Sequence, residues 1–183
     1  MKHSLVPAKY LDRAVNIKNR LWGGFKQIHY SQFGEDIVLR QLCKSSKGFF
    51  VDVGAFHPKH YSNTYLLYKK GWYGINIDPN PLSIKRFNRE RKRDINICSG
   101  IAKARQTLTY YTFSQSSCHP FSKEQKEKLL QKKWIEYLGS EEVECLPLAD
   151  ILQKNLPSDI QIDVMNIDTE DFDMEVLGSN DWT

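Results

Sequence analysis

Two periods alternate along this chain, and the switches between them predict its elements. Residues 8–22 place Leu11, Ala14, Val15, Leu21 and Trp22 at roughly helical spacing, with Lys and Arg between them, and Gly23-Gly24 ends that helix. Ser31-Gln32-Phe33-Gly34-Glu35-Asp36 opens a second helix that runs through Ile37, Val38, Leu39 and Leu42. Gly48 to Gly54 (GFFVDVG) is a short buried strand ending in a turn. Residues 62–70 are helical, and 72–78 (WYGINID) form a second strand that ends on an acid. Pro79-Asn80-Pro81 starts a helix to about residue 92, and residues 94–98 form a third strand. The order β-α-β-α-β is the signature of a parallel, doubly wound sheet in an α/β fold. Further on, 107–113 (TLTYYTF) is a strand and 114–122 a polar loop. Residues 123–138 read as one charged helix with Leu129, Leu130, Trp134 and Leu138 on one side. A short strand (143–146), a short helix (148–152), a strand over 162–167 ending at Asp168, and a helix over 172–177 complete the pattern.

Composition narrows the class. At 183 residues and 40% hydrophobic content, the chain suits one domain with a real core. Mean hydropathy is −0.54, and no apolar run approaches the roughly 18 residues of a spanning helix. The N-terminus has no apolar stretch long enough for a secretory signal. Cys43, Cys98, Cys118 and Cys145 are widely spaced with no C-x-x-C pair, which disfavours a disulfide scaffold or zinc ribbon and fits reduced thiols in a cytoplasm.

Charge is uneven beneath the net +4. Residues 1–26 carry six Lys/Arg against Asp12; residues 139–183 carry twelve Asp/Glu against Lys154. The basic N-terminal helix suits a membrane surface or, as the preferred reading, docking on its own domain. Eight bases between Lys69 and Arg93 face only Asp78 and Glu90. Such a run is either a solvated helix face or a nucleic-acid surface, and the acidic C-terminal part opposes the second.

The sharpest chemistry follows the first strand, at Val51-Asp52-Val53-Gly54-Ala55-Phe56. Glycine at a strand end lets a ligand approach the backbone, and ligands of open α/β sheets sit at the carboxyl ends of the strands. Asp78 ends the second strand, where a carboxylate can hold both hydroxyls of a ribose. The structural alternatives are a turn-capping acid for Asp52 and a helix cap for Asp78. G-x-G-x-x-G and Walker A sequences are absent, which disfavours a dinucleotide or a nucleoside triphosphate. One glycine with flanking acids suits S-adenosylmethionine (SAM).

These segments together resemble the FkbM family of SAM-dependent methyltransferases. The likeness is carried by YSQFGEDI, GFFVDVGAFHP, SNTYLLYKKGWYGINIDPNP, DINICSGIAK, LTYYTF and NIDTEDFDMEVLGSNDW, and covers about residues 28–183, leaving 1–27 as the basic N-terminal helix. It implies a Rossmann-like three-layer sandwich with a mostly parallel sheet, and O-methylation of a hydroxyl on a sugar, glycan or other natural product. It also implies that Asp52, Gly54 and Ala55 line the methionine and ribose of SAM, Asp78 holds the ribose diol, and Ser99 and Gly100 flank the adenine. Gln32, Glu35 and Asn63 then help to enclose the cofactor, although Asn63 and Thr64 also suit a helix start. Asp168 and Glu170 end the fourth parallel strand, where either is a candidate base for the acceptor hydroxyl, or they hold a divalent ion such as Mg²⁺. Acids favoured by a helix N-terminus are the structural alternative. His57 is a second candidate base, and His57 with His60 makes a poor zinc site.

Two departures from the family pattern stand out. Position 171 is Asp where the family usually has Gly, and Thr183 comes before the family's last strands, so the 162–167 strand is expected at an exposed edge, and either the sequence is a fragment of a longer enzyme or a partner chain, such as a second copy, covers that edge. The rival functions are a shortened, non-catalytic relative that binds SAM or a partner chain; a nucleic-acid methyltransferase or binder using Lys85–Arg93; and a nicotinamide oxidoreductase, which the missing glycines disfavour.

Overall fold

A computed structural model describes residues 27–182 apart from residue 116. The basic helix expected over 8–22 lies outside the described residues. The central strand, β1 (Phe49–Val53), is buried along its whole length, which is why it reads FFVDV rather than alternating. It pairs in parallel with β2 (Tyr73–Asp78) on one side and with the late strand Val164–Ile167 on the other, and β2 pairs in parallel with β3 (Ile95–Cys98). Helices α1 (Glu35–Leu42), α2 (Tyr65–Lys70) and α3 (Pro81–Glu90) precede or connect these strands. The two faces of β1 separate the layers. Phe49, Val51 and Val53 pack with Leu148, Ile151 and Val176, whereas Phe50 packs with Leu67, Trp72 and Leu39 of the α1–α2 side. The α/β fold with helices on both faces of a parallel sheet agrees with the expected class.

After β3 the chain leaves this sheet. β4 (Gly100–Ile101), β5 (Gln106–Phe113) and β6 (Tyr137–Leu146) form a second, three-stranded sheet in the order β4-β6-β5. Here the expected helix over 123–138 is corrected. Helix α4 stops at Leu130 (Lys123–Leu130), and Tyr137 onward is the ten-residue β6, antiparallel to β5. The apolar side assigned to one helix is not a packed stripe: Leu129 is buried, but Leu130, Trp134 and Leu138 are exposed. β6 is mostly exposed, so its backbone ladder with β5 decides its structure where side-chain burial does not. Helix α5 (Leu148–Asn155) then returns to the first sheet, followed by β7 (Val164–Ile167) and α6 (Asp173–Leu177). The parallel sheet runs β3-β2-β1-β7, with β7 at its edge. Among the described residues no helix is long and apolar enough to cross a membrane.

The basic run Lys85–Arg93 is not a uniform surface. Arg91 is completely buried and paired with Asp94 at 2.7 Å, its guanidinium 4.5 Å from the Tyr68 ring and close to Phe50. Arg93 lies over the same tyrosine at 3.9 Å. Of these charges Arg91 is held inside the fold, whereas Arg93, though stacked on Tyr68, stays exposed with the other bases of the run.

Candidate functional site

The strand order sets the carboxyl ends of β3, β2, β1 and β7 side by side, followed in the chain by Ser99, by Asp78 itself, by Gly54 and by Asp168. A cavity of about 500 Å³ opens over these ends. Its lining brings together nine of the expected site residues: Gln32, Glu35, Gly54, Asn63, Asp78, Ser99, Gly100, Asp168 and Glu170. Asp52, Ala55 and His57 are outside the lining. Asp52 is buried beneath it, accepting hydrogen bonds from Thr64 Oγ1 (2.6 Å) and Asn166 Nδ2 (2.8 Å), and burial first of all raises its pKa. His57 turns Nδ1 to the backbone N–H groups of Lys59 and His60, and its pKa is lowered by burial and then by neighbouring cations.

Gly54 has a second reason to be glycine. Its φ is +78°, and a Cβ there would overlap the backbone carbonyl of Asp168, so the crossing of the β1 and β7 ends requires the missing side chain whether or not a ligand is present. The next turn is strained too, with Phe56 at φ 55° and Tyr61 at φ 56°. That strain aims the Phe56 N–H at Asp78 Oδ2 (2.8 Å), while Asn80 N–H donates to Asp78 Oδ1 (2.8 Å). The α3 cap is Asn80, whose side chain accepts from Leu82 N–H, so Asp78 is not that helix cap. Each Asp78 oxygen accepts one backbone bond and keeps further lone-pair capacity toward the cavity. Burial, offset only in part by these two bonds, pushes its pKa up to about 6.

At the other end the cavity is acidic. Asp168 is held at the backbone by its N–H bond to Val53 O (3.0 Å), and no hydrogen bond engages the carboxylate of Asp168 or Glu170 among the described residues. Both pKa values are raised, first by loss of hydration and then by like charge: Asp173, Asp52 and Glu35 act on Asp168, and Asp168, Asp171 and Asp173 on Glu170. The acid that serves the α6 start is instead Asp173, which accepts from Thr169 N and Oγ1. Among the described residues no group of three or more His, Cys, Asp or Glu is placed to hold a metal ion.

Position 171 has a backbone that favours glycine. Glu170 and Asp171 both have left-handed backbones, at φ 51° and 71°. A non-glycine residue there costs about 1–2 kcal/mol, and Asp171 also repels Glu170. Asp171→Gly is expected to stabilise the fold by about 1 kcal/mol after the added freedom of the unfolded chain is subtracted. Thermal unfolding should show this as a rise of about 2–4 °C in Tm; an unchanged or lower Tm would remove strain as the reason.

Two parts of the site escape the sequence reading. The second sheet and its loop supply the facing wall with Tyr110, Ser117, Cys118, His119, Phe121 and Trp134, several of them from a stretch that reads only as a polar loop. His119-Pro120-Phe121 is the local signal, two ring residues amid serines. The other part is Arg91, which donates to Pro58 O (3.2 Å) and Thr64 Oγ1 (3.1 Å) and so ties down both ends of the segment carrying Tyr61 and Asn63. Asn63 itself donates to Asn166 Oδ1 (3.1 Å), joining this loop to β7.

A strand-end carboxylate on β2, acids beyond β7 and a glycine between them thus line one cavity at the strand ends. The family model described as the methyltransferase FkbM domain matches residues 52–183, from the last part of β1 through α6 and beyond. No curated protein and no solved structure matches the chain. With the match covering well over half of its length, the chain belongs to the FkbM methyltransferase family.

Proposed function

We propose that this methyltransferase binds S-adenosylmethionine in the cavity over β1, β2 and β7 and methylates a hydroxyl on a sugar or similar natural product. One observation carries the reading: a single cavity joins the buried carboxylate of Asp78 to a separate acidic end made by Glu35, Asp168 and Glu170. SAM needs both, since it has a vicinal diol in the middle and a sulfonium and an ammonium at one end. The site carries no phosphate-binding glycine motif, in keeping with a ligand that lacks phosphate.

When bound, SAM supplies a methyl group on a positively charged sulfur. The chain's own residues then have distinct work. Asp78 accepts from the diol, and Asn63, anchored on Asn166, helps to close the pocket. Asp168 and Glu170 favour the cationic end electrostatically, and one of them takes the proton that the acceptor hydroxyl loses. Their raised pKa values suit a base better than an ordinary carboxylate would. Holding oxygen, carbon and sulfur in line supplies much of the remaining rate.

Calorimetric titration of the full chain with SAM and with S-adenosylhomocysteine (SAH), with NAD as control, tests the reading. Saturable binding of the first two and none of NAD is the expected result. The pH dependence has a definite sign. Asp78 accepts from two hydroxyls only when ionised, and its pKa in the free protein is about 6. Affinity should therefore be full near pH 7.5 and fall as the pH drops through 6, and binding at pH 6 should release protons. A folded chain that binds neither SAM nor SAH overturns the proposal.

A further inference from the structure

A chain of hydrogen bonds with one fixed direction leads from the buried core to the cavity. It starts at Arg91, which is completely buried and can only donate. Arg91 Nη2 donates to Thr64 Oγ1 (3.1 Å), and the threonine hydrogen goes to Asp52 Oδ2 (2.6 Å). The other Asp52 oxygen accepts from Asn166 Nδ2 (2.8 Å). That bond turns Asn166 Oδ1, which can only accept, toward Asn63, and Asn63 meets it with Nδ2 (3.1 Å). Each amide is oriented by the group before it, and no hydrogen bond engages the Asn63 oxygen among the described residues. The buried side-chain polar atoms left without partners there are Ser62 Oγ, Asn76 Oδ1 and His119 Nδ1. Asn63 Oδ1 is not one of them, and Asn63 lines the cavity, so this oxygen is open to a ligand.

Its place selects the donor. Asp52 and Asn166 are partners in the β1–β7 register, and Asn166 stands two residues before Asp168, so Asn63 is tied to the acidic end of the cavity. Glu35 lines the same cavity and its charge acts on Asp168. An amide oxygen beside these carboxylates suits a cation that carries N–H donors. The sulfonium of SAM has none, whereas its ammonium has three. We propose that Asn63 Oδ1 accepts a hydrogen bond from the α-ammonium of SAM, and that Arg91, Thr64, Asp52 and Asn166 are positioning residues that hold the amide in this orientation. An unanchored asparagine could turn its NH₂ group to the ligand instead, and that group would repel an ammonium; the directed chain removes this state. The assignment rests on the SAM reading and adds to it the residue that recognises the amino group.

The test compares calorimetric affinities of the full chain for SAH and for deamino-SAH, in which a hydrogen replaces the α-amino group. The wild-type chain should bind SAH at least about 30-fold more tightly, because the charged amino group meets both the amide oxygen and the acids. In Asn63→Ala this ratio should fall by about ten-fold, the value of one hydrogen bond to a charged group. Asn63→Asp keeps an acceptor in place and should retain the preference. Asn166→Ala leaves Asn63 intact but frees its amide to turn, and should lower the ratio several-fold. The ratio is internal to each variant, so a general loss of stability does not mimic the effect. Equal binding of the two ligands by the wild type, or an unchanged ratio in Asn63→Ala, overturns the assignment and leaves SAM binding standing. An unchanged ratio in Asn166→Ala overturns the positioning role. Failure of the wild type to bind either ligand overturns the SAM reading and this assignment with it.

Discussion

Asp78→Ala is expected to weaken SAH binding by about 100-fold while leaving the chain folded. Two hydroxyl donors to one ionised carboxylate contribute about 1.5 kcal/mol each at the low end of the range for charged partners, and about 3 kcal/mol corresponds to two orders of magnitude in Kd. Stability should change far less, because two effects oppose each other. The substitution leaves the N–H groups of Phe56 and Asn80 without their acceptor. It also removes a carboxylate whose pKa is raised from 3.8 to about 6, so its ionisation opposes folding by about 3 kcal/mol at neutral pH. The linkage has one sign: this group's contribution is fully favourable below its unfolded pKa and is lost as the pH rises through 6. Between pH 4 and 7 the wild-type chain should therefore lose stability at Asp78 as the pH rises, and the variant should lose that slope. Calorimetry with SAH and unfolding curves across this range read both. Wild-type affinity in Asp78→Ala would place the diol elsewhere.

The features that were legible in the sequence are those where one local rule meets one structural demand. FFVDV reads as a strand buried on both faces because it packs against helices from both sides. Asp78 stands out because an acid ends an apolar run, and Asp168 repeats the pattern. The second sheet was less legible. β6 buries little, so its hydrophobic pattern carries almost no information, and Leu129, Leu130, Trp134 and Leu138 fall by chance at helical spacing. Arg91 was hidden for a related reason. It sits in a run of exposed bases, and only the tertiary arrangement shows that its partners are Asp94, Thr64 and Pro58. Gly54 was identified as special, yet half of the reason lies in a backbone crossing with Asp168 that is more than a hundred residues away in the chain. Composition and periodicity find elements and strand-end acids; contacts between distant segments decide what those residues do.

The base should separate from the cofactor site in a variant pair at the acidic end. Asp168→Asn is expected to reduce turnover by about 10³-fold, within the usual contribution of a positioned base, while SAH affinity changes only a few-fold. Glu170→Gln should cost turnover about ten-fold. The asymmetry follows from how each carboxylate is held. Asp168 follows directly on β7, its backbone pinned to Val53 beside the Gly54 crossing. Glu170 lies in a left-handed turn next to Asp171, where like charge disfavours a fixed position. Rigid strand ends hold reacting groups more accurately than turns do, and positional error is expensive in catalysis. Both carboxyl groups have raised pKa values, so turnover should fall on the acid side as the base is protonated, and Asp168→Asn should abolish that limb of the profile. SAH formation from SAM, followed with a hydroxylated sugar that supports turnover, reads all three effects. A Glu170→Gln chain that loses more than Asp168→Asn would exchange the two roles, and undiminished turnover in both would remove the carboxylates from proton transfer and leave them as the electrostatic counterpart of the cationic ligand.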